Sequence, residues 1–160
     1  MFAFDPLHAS LLAAKLPCMI SEIAISTRQL QRSLSKLEGP ITSYLWIQNR
    51  LGETTDVKAD FDFRRKFNGY YRVRRNVDWQ DAFYGLMSEC KNKSINFKYA
   101  LGELTKRTNR IEASFASKLV ATLNPTYPVI DSVVLENLDL ELPRYSAQNR
   151  IDRICTVYQP

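Results

Sequence analysis

Lys118 and Asp131 stand near the starts of two successive apolar segments, inside the stretch from Ile111 to Leu138. An amine whose charged form is disfavoured becomes a nucleophile, and a nearby carboxylate can accept its proton or stabilise a cation developing on a sugar. Such a pair could act on a glycosidic bond. The local sequence supplies a frame for it. Ser114 or Ser117 can cap a helix running to about Leu123, and Asn124-Pro125 stops it. Tyr127-Pro128 keeps the connection extended, because a residue before proline is driven out of the helical region. Asp131 then precedes Val133, Val134, Leu135 and Leu138 and reads as an N-cap. A second interpretation uses the same residues: a capping aspartate contributes about 1 kcal/mol to helix stability, and a first-turn lysine is ordinarily solvated.

The other chemistry-bearing stretch is basic and aromatic. Arg64, Arg65, Lys66, Arg72, Arg74 and Arg75, with Tyr70 and Tyr71 between them, put six cations and two rings within 12 residues. Arginine interleaved with aromatic rings suits pairing with phosphates and stacking on bases. The alternative is a solvated basic face whose tyrosines pack inward. The wider charge distribution is uneven. Residues 1–60 carry 6 basic and 6 acidic side chains, residues 61–120 carry 13 and 6, and the remainder carries 3 and 5. The middle of the chain is where a polyanion such as DNA would be attracted. Asp56, Asp60 and Asp62 match no calcium-loop spacing.

The elements that must position these residues read as helices throughout. Asp5-Pro6 starts a helix to about Leu16, and a helical pair covers about Met19 to Leu37, broken near Ile25-Ser26, where Ser26 or Thr27 can cap its second member. Gly39-Pro40 predicts a stop and a new helix ending near Gly52. Residues 53–60 read as a polar linker, dividing an N-terminal helical unit (1–52) from a second unit (61–160). Further helices are predicted at 59–67 before a turn at Asn68-Gly69, after Asp78, from Ser94 or Asn96 to about Lys106, from Ser114, after Asp131, and from Ser146 to Val157. No period of two is sustained, so the expected class is all-α, with Trp79, Phe83, Leu86, Leu101, Leu104, Phe115, Leu119, Leu123, Val134 and Leu138 as one core.

Composition narrows the function classes. Three isolated cysteines (Cys18, Cys90, Cys155) and a single histidine (His8) support neither a disulfide frame nor a zinc site. No apolar run suffices to cross a bilayer, and no basic leader precedes an apolar core, so a cytoplasmic protein without metal or cofactor is expected. No glycine-rich phosphate loop occurs among the five glycines.

Two segments carry a family resemblance. Ala113-Ser114-Phe115-Ala116-Ser117-Lys118 and Pro128-Val129-Ile130-Asp131 resemble, in order, the hairpin with its following helix and the Pro-Val-Asp segment of the helix-hairpin-helix DNA glycosylase superfamily. The wider likeness spans about residues 63–143 and extends to small bacterial proteins. It implies a helical DNA-binding unit in the second two thirds of the chain, with Lys118 as the nucleophile of a glycosylase or abasic-site lyase and Asp131 as its essential carboxylate. It also implies that Ser114 and Ser117 face DNA, and that the target base leaves the stack before reaction. Ala113 and Ala116 replace the hairpin glycines, and the interval from Lys118 to Asp131 is short for this family. Separately, Ser26 to Leu34, followed by Gly39 and Tyr44-Leu45, resembles the recognition helix and following helix of AraC-type regulators. That likeness implies base contacts by Arg28, Gln29 and Arg32 in a major groove. An amphipathic helix packing Leu30, Leu34 and Leu37 inward accounts for the same stretch.

Overall fold

The computed structural model describes residues 26–158, and all its regular structure is helical, with no strand among the described residues. The helices are α1 (Thr27–Glu53), α2 (Phe61–Tyr71), α3 (Val77–Cys90), α4 (Phe97–Thr108), α5 (Ala113–Leu123), α6 (Ser132–Asn137) and α7 (Arg150–Tyr158). The expected helix from Asp5 to Leu16, the first member of the following pair, His8 and Cys18 lie outside the described residues. The chain divides into two compact units, Met1–Leu37 and Glu38–Pro160. Of residues 53–60, expected as a linker, Glu53 ends α1 and all lie in the second unit, where Val57 is fully buried.

Two predicted breaks do not occur. Gly39-Pro40 does not stop a helix, because Pro40 lies inside α1. Proline there removes one hydrogen bond, and the flanking turn is exposed, so water can serve the freed carbonyl. Asn68-Gly69 does not turn either; α2 continues to Tyr71 and ends at Arg72, which takes the left-handed conformation (φ 52°). Asn68 is held instead by its side chain, which accepts from Tyr84 Oη at 2.6 Å and donates to Gln80 at 2.9 Å.

Polar caps set most helix starts. Asp60, Asn76, Asn96 and Asp131 accept from the backbone N–H groups of Phe63, Trp79, Tyr99 and Val134 at 2.9–3.1 Å. The cap of α3 is therefore Asn76, and Asp78, expected in that role, occupies the first turn.

The core follows the apolar spacing. Phe97, Ala100, Leu101 and Leu104 line one face of α4, which packs against α3, α5 and α7. Eight consecutive or near-consecutive residues of α5 are buried, so this helix is enclosed nearly all round. Trp79, Phe83, Leu86, Leu101, Leu104 and Leu119 are buried as expected, and Phe115 and Leu123 pack partly buried against them. Leu138 does not join the core: it is 61% exposed, and Val134 is only half-buried. The reason is that α6 is six residues long and buries none of them.

Candidate functional site

The site begins with a hairpin. Helices α4 and α5 are joined by Asn109–Glu112, and the left-handed residue that turns the chain is Asn109 (φ 53°). Asparagine tolerates this conformation without glycine, so the turn survives the alanines at 113 and 116, which are helical and buried. Glu112 precedes α5 without capping it through its side chain. Ser114 and Ser117, expected as caps, are both inside the helix. Ser117 is fully buried, so it is no surface contact for nucleic acid. Its hydroxyl donates to Ser114 O at 2.9 Å and accepts from Ile130 N–H at 3.0 Å, tying α5 to the segment before Asp131.

Lys118 is likewise not a solvated first-turn residue. It is the sixth residue of α5 and 9% exposed. Its Nζ donates to Ser114 Oγ at 3.1 Å and lies 5.1 Å and 5.8 Å from the ring centres of Phe115 and Tyr71. Burial pushes the Lys118 pKa below the ordinary lysine value, and the charge of Asp131 opposes that shift. Desolvation thus disfavours the charged amine.

Asp131 caps α6, as its sequence position predicts. Lys118 and Asp131, expected to meet directly or through one water, make no direct hydrogen bond: Lys118 Nζ donates to Ser114 Oγ, and Asp131 Oδ1 accepts from Val134 N–H at 3.0 Å. The Pro125–Pro128 connection brings the carboxylate close enough to act on the amine's charge, without direct contact.

Ser114 and Phe115, the two α5 residues touching the lysine amine, also line a cavity of about 520 Å³. Tyr145 and Arg150 form part of another wall, the guanidinium lying 4.4 Å from the ring centre. Glu112, with only 8% of its side chain exposed, accepts from Arg75 at 2.7 Å and forms an ion pair with Arg110 at 3.1 Å. The cavity therefore offers two rings, three guanidinium groups and one carboxylate beside a desolvated amine.

The basic stretch separates into structural and available cations. Arg64 is a correction: its side chain is 13% exposed, pairs with Asp81 at 2.9 Å and lies over the Tyr84 ring. It fastens α2 to α3. Arg65 is exposed and pairs with Asp62 at 3.0 Å, and Lys66 is exposed beside it. Tyr70 and Tyr71 are half-buried and meet edge to face, with Tyr71 turned toward Lys118. Arg72 and Arg74 are exposed, whereas Arg75 is held by Glu112. Arg28 and Arg32 are exposed on the first part of α1; the side chain of Gln29 lies outside the described residues. The AraC-like stretch and the helix expected to follow it form one continuous α1.

Sequence reasoning missed Glu112, Arg110, Tyr145 and Arg150. Tyr145 and Arg150 are distant in sequence from the motif segments, and all four gain meaning by convergence on one cavity. The one available signal was the adjacency of Arg110 and Glu112 to the hairpin. Among the described residues no helix is long and apolar enough to cross a membrane, and no group of three or more His, Cys, Asp or Glu side chains comes together to hold a metal ion. No family model, curated protein or solved structure matches the chain.

Proposed function

We propose that the second unit binds DNA and acts as a base-excision glycosylase of the helix-hairpin-helix kind, with Lys118 as its amine. The observation that carries this reading is the desolvated Lys118 Nζ, held by Ser114 Oγ between the rings of Phe115 and Tyr71 beside a cavity rich in arginine. A lysine with a lowered pKa holds more of its neutral, nucleophilic form at a given pH.

In the proposed reaction the neutral amine attacks C1′ of the deoxyribose, forming an N–C bond. The bond from C1′ to the base breaks, and the base leaves with the electron pair and takes one proton of the amine. The C1′–O4′ bond then breaks as the nitrogen lone pair forms the C=N bond, O4′ takes the second amine proton, and a Schiff base remains. Asp131 acts through its charge on the cationic character of the sugar. Lys66, Arg72 and Arg74 supply attraction for the phosphate backbone.

The test is borohydride trapping on duplexes bearing an abasic site or a panel of damaged bases. A covalent protein–DNA adduct with the wild-type chain supports the reading. DNA binding with no adduct on any substrate leaves the second reading, a DNA-binding protein without this chemistry. The depth of Lys118, 9% exposed and without a direct bond to Asp131, favours that alternative.

A further inference from the structure

A second cavity, of about 420 Å³, opens where the loop before α3 meets the end of α4. Arg74 and Arg75 reach it from the loop, Arg107 and Thr108 from α4, and Arg110 from the hairpin. Four guanidinium groups from three segments converge there. Partners hold three of them: Arg107 forks onto Glu89 at 2.7 and 2.8 Å, and Arg75 and Arg110 share Glu112. Among the described residues Arg74 is exposed and in no ion pair, and Asp78 is the one carboxylate lining the cavity.

The wall of this cavity contains a further signal. Trp79 and Arg75 both line it, and Trp79 Nε1 and Arg75 Nε are buried without a hydrogen-bond partner. Trp79 is 6% exposed. Buried polar groups in folded proteins are normally paired, so an unpaired one calls for an explanation. Both of these are N–H donors, whereas Glu112 Oε2, the third buried unpaired atom among the described residues, is an acceptor. Four guanidinium groups against one carboxylate, Asp78, in the wall favour an anion. Planar guanidinium forks match a tetrahedral phosphate better than a point-like chloride.

We propose that Arg74, Arg107 and Arg110 form a side-chain seat for one phosphate group, supplied by the DNA backbone. The assignment of that source rests on the DNA-binding reading above. The cavity that holds the seat shares Arg75 and Arg110 with the one lined by Ser114 and Phe115. The seat draws its side chains from the loop, from α4 and from the hairpin.

The experiment measures affinity for a fluorescent duplex between about 50 and 200 mM salt, for the wild-type chain and for Arg74→Ala/Arg110→Ala. Each phosphate contact contributes about 0.9 to the log–log salt slope. The double variant is expected to lose about that amount, one phosphate's worth, while thermal unfolding shows that it still folds. A second arm adds inorganic phosphate alone: it should raise the melting temperature of the wild type and not of the double variant. An unchanged salt slope in the folded double variant overturns the seat. Stabilisation by inorganic phosphate without binding of DNA by the wild type overturns the assignment to the DNA backbone, and failure of both arms overturns the proposal entirely.

Discussion

Ser117 Oγ accepts the backbone N–H of Ile130 at 3.0 Å, in full burial. This single bond joins the helix that carries Lys118 to the residue immediately before Asp131, and it sets where the carboxylate stands. Ser117→Ala leaves the Ile130 N–H buried and unpaired, which costs roughly 1–3 kcal/mol. Chemical denaturation should show that loss. An unchanged midpoint would mean that the segment before Asp131 is held by other contacts.

Lys118 should make the stability of the protein depend on alkaline pH. Its folded-state pKa is lowered by burial, so the unfolded chain binds the proton more tightly. The cost of burying the charge is full below the folded pKa, where both states are protonated. It is relieved as pH rises through the folded pKa toward the unfolded value, so stability rises over that window. Lys118→Met keeps the stem among Phe115 and Tyr71, should stabilise by roughly 1–2 kcal/mol at neutral pH, and should flatten the dependence. Unfolding midpoints across pH would check this, and a wild-type curve already flat up to pH 10.5, the ordinary lysine value, would contradict it.

Catalysis and capping can be separated at two positions. Lys118→Ala should abolish the borohydride adduct on abasic DNA while leaving binding nearly intact. Asp131→Asn should keep the cap on Val134 N–H, since asparagine caps as well as aspartate, yet lose base release. If Asp131→Asn retains full activity, the residue is a cap alone.

The cations once grouped by sequence should now behave differently. Lys66→Ala and Arg72→Ala, both on exposed side chains, should each flatten the salt dependence of DNA binding by up to about 0.9. Arg64→Ala should leave the slope unchanged and cost roughly 1–3 kcal/mol of stability, because it breaks the Asp81 pair. A slope change at Arg64 without destabilisation would return it to the binding surface.

Leu119, fully buried on α5, provides the packing control. Leu119→Ala should cost about 2–5 kcal/mol, as deletion of buried methyl groups does in close-packed cores. Leu138→Ala, at an exposed position, should fall within about 0.5 kcal/mol.

The all-α class, the caps at Asn96 and Asp131 and most of the core were legible in the sequence, because they rest on local rules. A short polar side chain beside an apolar run meets the free N–H groups of the helix it precedes. A spacing of three and four gathers Phe97, Leu101 and Leu104 on one face. The break expected at Asn68-Gly69 failed because packing overrides a local propensity, and the one expected at Gly39-Pro40 failed on an exposed stretch of α1 where water can serve the freed carbonyl. Asn68, drawn to Tyr84 and Gln80, holds α2 in register beyond its predicted end.

The candidate site depended on what lies across the fold. Two segments drew attention to Lys118 and Asp131, but no local rule could bury the lysine between Phe115 and Tyr71 or direct its hydrogen bond to Ser114. Arg64 and Arg72 are the same residue type eight positions apart, one pinned to Asp81 and the other exposed. The convergence of Arg74, Arg107 and Arg110 on one cavity was invisible for the same reason. Desolvation and ion pairing depend on distances between segments far apart in the chain, and only tertiary packing sets those distances.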